Sequence, residues 1–153
     1  MRILTYGTFD LLHVGHIRLF ERLRASGEWL AVGISTDEFN AVKGKVALQP
    51  FEDRLRTVLA SGLVDHVFPE EHWEQKPSDI RRLEIDVFAM GDDWSGRFDE
   101  LAAYGVEVRY LSRTPGIDST TIRSGLRLEG CDTAVLQDTL RIAEQNSAAE
   151  TGN

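Results

Sequence analysis

Gly7-Thr8-Phe9-Asp10-Leu11-Leu12-His13-Val14-Gly15-His16 joins the short apolar run Arg2–Tyr6 to a stretch with Ile17, Phe20 and Leu23 three residues apart. The first run reads as a buried strand ended by Gly7, and the second, Gly15–Ala25, as an amphipathic helix with Gly27 as its C-cap. A turn that leads from a strand into a helix offers unpaired N–H groups and the positive end of the helix dipole, a natural phosphate site. His13 and His16 stand three apart at that helix start, so both rings can face one ligand, and Gly15 allows backbone and phosphate to approach closely. Two alternatives stay open on the residues alone. One is a plain glycine turn with two satisfied histidines. The other is a zinc pair, for which no third ligand has suitable spacing.

Working outward, strand and helix patterns alternate. Trp29–Ile34 reads as a second buried strand. Phe51–Ala60 is an amphipathic helix with Leu55, Val58 and Leu59 on one side and Gly62 behind it. Asp65–Phe68 is a strand stopped by Pro69, and Pro77–Leu83 a helix with an early proline. Asp86–Met90 is a strand closed by Gly91, Phe98–Tyr104 is helical, and Val106–Leu111 is a fifth strand. Ser119–Leu128 begins with hydroxyls suited to an N-cap. This order predicts an α/β, Rossmann-like, five-stranded parallel sheet with helices on both faces. The expected domain is 1–128, followed by a helical extension over 129–145 and a small, polar, disordered tail over 146–153.

Ligands of such sheets bind at the carboxyl ends of the strands, near the switch point. The chemistry-bearing residues do follow strands: His13 and His16 the first, Lys43 and Lys45 the second, Asp92–Trp94 the fourth, Arg113–Thr121 the fifth. Lys43 and Lys45 alternate in what reads as an extended loop, so both could reach one pocket or simply be surface. Asp92 and Asp93 fit a nucleoside hydroxyl, a share in Mg²⁺ binding, or a helix cap. Asp10 reads as ordering its own tight loop. Trp73 fits the core or a lid, and Arg113 brings a guanidinium fork to the mouth of the fifth strand.

The chain has 153 residues, the size of one ordinary domain. Seventeen basic against 25 acidic residues give a net charge of −8, which argues against a nucleic-acid coat but not against a small anion in a local basic pocket. The single cysteine, Cys131, can form no internal disulfide. The apolar start Met1–Gly7 is too short for a signal peptide and no run approaches a membrane span, so the protein is expected in the cytoplasm, with no membrane partner. Gly-x-Gly-x-x-Gly, which a dinucleotide dehydrogenase would need, is missing after the first strand.

Gly7-Thr8-Phe9-Asp10 with His13-Val14-Gly15-His16 resembles the signature of the nucleotidyltransferase superfamily of cytidylyltransferases and their adenylyl-transferring relatives. Arg113-Thr114-Pro115-Gly116-Ile117-Asp118-Ser119-Thr120-Thr121 resembles its second signature, with Asp118 standing between Ile117 and Ser119 where relatives usually read Gly-Ile-Ser-Thr-Thr. Ser35–Asn40, Trp73-Glu74-Gln75-Lys76 and Met90-Gly91-Asp92-Asp93-Trp94 are similar to the bacterial glycerol-3-phosphate cytidylyltransferase family, and the likeness spans about residues 1–124. It implies CTP and sn-glycerol 3-phosphate as substrates, Mg²⁺ carried mainly by the CTP phosphates with no certain protein ligand, and a homodimer. His13, His16, Lys45 and Arg113 are implied as catalytic. Gly7, Thr8, Phe9, Gly15, Asp93, Thr114, Gly116, Ile117, Ser119, Thr120 and Thr121 are implied at the nucleotide together with those four. Lys43, Arg54, Trp73 and Lys76 are implied at the acceptor, whereas Arg56, two residues from Arg54, faces elsewhere. The competing reading keeps the chemistry but uses ATP or another phospho-alcohol, such as phosphoethanolamine or a heptose phosphate.

Overall fold

Five short strands form one parallel sheet. The computed structural model describes residues 1–112. The strands are β1 (Arg2–Gly7), β2 (Trp29–Ser35), β3 (His66–Glu70), β4 (Val87–Gly91) and β5 (Glu107–Leu111), and they lie in the order β3-β2-β1-β4-β5. Four α-helices intervene: α1 (Val14–Ser26), α2 (Asp37–Val42), α3 (Phe51–Ala60) and α4 (Lys76–Arg82). Three 3₁₀ turns, Trp73–Gln75, Asp92–Trp94 and Asp99–Tyr104, complete the described chain. The expected doubly wound sheet is therefore borne out. The expected helix Ser119–Leu128, the extension 129–145 and the tail 146–153 lie outside the described residues.

Alternation along β1 explains the layers, because successive side chains point to opposite faces. Ile3 joins Phe20 and Leu23 of α1 and Val58 of α3 in one core cluster. Leu4 and Tyr6 join Ile80 of α4, Phe88 and Leu101 in the other. The switch point falls between β1 and β4, where the crevice opens at the carboxyl ends. Gly33, paired with Tyr6 in the sheet, makes room for that ring: a Cβ there would come within 2.4 Å of it.

Three local expectations are corrected. Pro69 does not stop β3 but lies inside it, paired with Ile34. β3 is an edge strand, where the missing N–H can face away from the ladder. Leu59 is 47% exposed, and the buried stripe of α3 is Phe51, Arg54, Leu55 and Val58, with a charged residue in its centre. Val42–Lys45 is not extended. α2, which begins at a Thr36 cap with Asp37 and Glu38 in its first turn, ends there with Gly44 at φ 74°.

Candidate active site

The loop after β1 is strained and pinned. Phe9 (φ 52°) and Leu11 (φ 50°) both occupy the left-handed region without being glycine. Asp10 compensates: its carboxylate accepts the Leu48 and Gln49 N–H groups, each at 3.0 Å, while Leu11 N–H donates to Gln49 Oε1 at 2.9 Å. Phe9 is buried against Phe20 and makes a T-shaped contact with the His16 ring. Asp10 thus orders the loop, as its position suggested.

His13 caps α1. Its Nδ1 accepts the Gly15 N–H at 3.0 Å, and His16 Nδ1 accepts the His13 N–H at 3.3 Å. The two rings stack with centroids 3.9 Å apart. Because both Nδ1 atoms accept, the hydrogen-bond network assigns the proton of each neutral ring to Nε2. Burial, and then the proximity of His13, hold the His16 pKa down to about 3. The pair is a set of oriented neutral donors, suited to phosphate oxygens. No group of three or more His, Cys, Asp or Glu side chains gathers as a metal site among the described residues.

The lysines arrive by a turn, not by strand alternation. Gly44 N–H bonds Ala41 O at 3.1 Å and Lys45 N–H bonds Asn40 O at 2.8 Å, the paired bonds of a Schellman C-cap. Lys43 swings inward, its Nζ donating to Ser35 Oγ at 2.7 Å and lying 3.8 Å from Glu70. Lys45 stays exposed, its Nζ 5.7 Å from the Trp94 ring centre. Asn40, 1% exposed, ties this turn to the β1 loop by accepting the Thr8 hydroxyl at 3.1 Å.

An open pocket lies between these pieces. Tyr6, Gly7 and Thr8 line one side, Lys43, Lys45, Glu70 and Lys76 another, and Trp73, Trp94, Phe98 and Met90 the wall. Of the expected residues, Gly7, Thr8, Lys43, Lys45, Trp73 and Lys76 meet here; His13, Gly15 and His16 stand at the start of α1, and Asp93 lies in the exposed turn after β4. Trp73, 41% exposed, is a pocket wall and not core. Arg113, Thr114, Gly116, Ile117, Ser119, Thr120 and Thr121 lie outside the described residues. Glu70 was missed, although it sits at the carboxyl end of β3, where the strand-end rule applies. Lys76 Nζ bonds its carboxylate at 2.7 Å, and Ser35 Oγ donates to it at 2.8 Å. Tyr6 was missed too; its hydroxyl donates to Asp79 at 2.7 Å, and burial, then that bond, raise its pKa.

Arg54 is a correction. The resemblance implies an acceptor contact, yet its side chain is fully buried and absent from the pocket lining. Its fork donates to Gln49 O (3.0 Å), Thr8 O and Ser35 O (2.8 Å each) and Asp37 Oδ1 (2.7 Å). Burial of the Asp37 carboxyl raises its pKa, but the Phe51 N–H and the Arg54 guanidinium outweigh this and hold it below the ordinary value. Arg54 positions the loop ends; Arg56 is exposed.

Parallel strands, a helix-start histidine pair and a cationic pocket at the switch point define an α/β protein with a site suited to an anionic ligand. A family model described as cytidylyltransferase-like matches residues 4–125, and the chain belongs to that family. It is 49% identical over 125 residues to glycerol-3-phosphate cytidylyltransferase of Bacillus spizizenii, covering 82% of this chain and 96% of that one. It is 52% identical over 122 residues to the enzyme of the same name from Bacillus subtilis, covering 80% and 94%. Among solved structures, a lipopolysaccharide core biosynthesis protein from Thermoplasma volcanium superposes with a TM-score of 0.61 over 74% of this chain and 96% of that one; at 22% identity it speaks for the fold alone.

Two outcomes follow from this geometry. Arg54→Lys removes the fork and leaves at least one buried carbonyl unpaired, so it should lower unfolding free energy by about 2–4 kcal/mol in urea melts. An unchanged midpoint would refute the anchoring role. For His16, the folded pKa of about 3 lies below the ordinary 6.5, so the unfolded chain binds the extra proton across that window. Stability contributed by neutral His16 is complete above 6.5 and is lost as pH falls toward 3. His16→Asn keeps an acceptor for the His13 N–H without titrating, and should show a shallower acid slope in paired pH-stability curves.

Proposed function

We propose that the chain is a glycerol-3-phosphate cytidylyltransferase, converting CTP and sn-glycerol 3-phosphate into CDP-glycerol and pyrophosphate. The observation that carries this is the 49% identity that spans 96% of a curated relative bearing that name. The acceptor phosphate is already an anion near neutral pH and needs no general base. Its oxygen attacks the CTP α-phosphorus, an O–P bond forms, and the bond to pyrophosphate breaks in line. His13 and His16 offer Nε2–H groups to the α-phosphoryl oxygens as charge builds there, and Lys45 adds a cation. Lys43 and Lys76 take the acceptor phosphate, with Trp73 beside it. Arg113, Thr114, Gly116, Ile117, Ser119, Thr120 and Thr121 hold the triphosphate in this reading, as the resemblance implies, and Asp93 meets the nucleoside.

Mg²⁺ belongs to the same proposal. In this proposal the ion is bound chiefly by the substrate phosphates. Bound there, it lowers the charge of the triphosphate. No helix among the described residues is long and apolar enough to cross a membrane. A homodimer working in the cytoplasm completes the reading.

The reading is tested by incubating the protein with Mg²⁺ and a panel of nucleotides and phospho-alcohols, and identifying products by mass spectrometry. CDP-glycerol and pyrophosphate should dominate, with CTP used far better than ATP; comparable use of ATP, or no CDP-glycerol, overturns the substrate assignment. The acceptor role of Lys43 has its own test. Burial pulls its pKa down to about 8 despite Glu70. The ammonium is therefore lost as pH rises through about 8, and the KM for glycerol 3-phosphate should climb there. Lys43→Arg cannot deprotonate in this range and should flatten the climb.

A further inference from the structure

The Lys76 ammonium sits inside an aromatic cage of the chain's own making. Its Nζ lies 4.7 Å from the Tyr6 ring centre, 5.0 Å from Trp73 and 5.4 Å from Phe98. Glu70 closes the remaining side at 2.7 Å, and the lysine side chain is 4% exposed. Aromatic faces arranged around a carboxylate form a receptor for an ammonium ion. Here that receptor is part of the acceptor pocket and is already filled.

We infer that Lys76 is a specificity-determining residue: its ammonium plugs a cation site, so the pocket takes an uncharged polyol phosphate and rejects an amino-alcohol phosphate. This rests on the acceptor assignment proposed above. A ligand ammonium entering the pocket would find its cage occupied and would face two cations, Lys76 and Lys43, whose side chains are 4% and 8% exposed. Like-charge juxtaposition in a desolvated site is a strong means of exclusion. A glycerol phosphate brings no cation and meets no such barrier. Removing the lysine beyond Cβ deletes a propylammonium-sized fragment and leaves Glu70 facing an empty cage.

Lys76→Ala, Lys76→Met and the double variant Lys76→Ala/Glu70→Gln test this. Trp73 provides a fluorescence readout that does not depend on turnover. Titrated with propylammonium chloride against equal sodium chloride, Lys76→Ala should bind saturably in the millimolar range. The parent protein and Lys76→Met, whose cages stay filled, should not, and the double variant should bind at least tenfold more weakly. In turnover, the kcat/KM ratio of phosphoethanolamine to glycerol 3-phosphate should rise at least 100-fold in Lys76→Ala and stay within a few-fold of the parent in Lys76→Met. Absence of saturable binding by Lys76→Ala, or equal ratios in the two single variants, overturns the inference. If Lys76→Ala melts early, propylammonium must raise its Tm above the sodium chloride control by mass action, and no rise counts against the cage. If the parent protein makes no CDP-glycerol, the substrate reading falls while the fluorescence titration still decides the cage.

Discussion

One buried guanidinium organises the carboxyl end of the sheet. Arg54 reaches from α3 to the carbonyls of Thr8 at the end of β1, Ser35 at the end of β2 and Gln49 in the connecting loop, and to Asp37 at the start of α2. A buried charge is tolerated only when it is paired and its hydrogen bonds are satisfied, so these segments have little freedom to drift. Fixing Thr8 fixes the strained loop that leads to His13, and fixing Asp37 fixes the helix whose far end delivers Lys43 and Lys45. Asn40 closes the circuit by joining Thr8 to that same helix. His13, Lys43 and Lys45 thus share one anchor.

Charge in the pocket is arranged as alternating signs in depth. The chain carries a net charge of −8, yet its crevice gathers Lys43, Lys45 and Lys76. Two of these ammonium groups are buried, which without a counter-ion would favour their neutral forms. Glu70 supplies the counter-ion to both, and Ser35 bonds to both Glu70 and Lys43. The result is a rigid, preorganised cationic wall and not a cluster of free lysines. A wall of this kind attracts an anion without a large reorganisation on binding.

β1 and β4 were legible as short apolar runs closed by Gly7 and Gly91, β2 as the apolar run Trp29–Ile34, and the parallel sheet followed from the alternation of strands with helices. Pro69 misled because its effect depends on whether a strand lies at the edge, which the local sequence does not state. α2 was missed because six residues hold too little periodicity, although Thr36-Asp37-Glu38 is an N-cap signal. The lysine turn was misread for the same reason: without α2 there is no helix for Gly44 to terminate. The motif residues Thr8, His13 and His16 stood out because their spacing is local. Glu70 did not, and Arg54 was expected at the acceptor instead of at the loop ends, because their contacts rest on partners up to 46 residues away and on depth below the surface.

The two sets of donors differ in kind, and the difference suits the chemistry. His13 and His16 are neutral, stacked and tied at Nδ1 to backbone amides, so their remaining N–H groups are fixed in direction. A fixed neutral donor stabilises charge that appears in a transition state without holding a full ionic grip on the ground state. The lysines are ionic donors and, except for Lys45, are locked by Glu70 and Ser35. They are better placed to gather an anion than to follow a charge that moves. In the proposed reaction, neutral donors at a helix start and cations on the pocket wall divide transition-state stabilisation from binding. The strained Phe9–Leu11 turn holds the first set in register with the second, which gives a physical reason for two left-handed non-glycine residues at this loop.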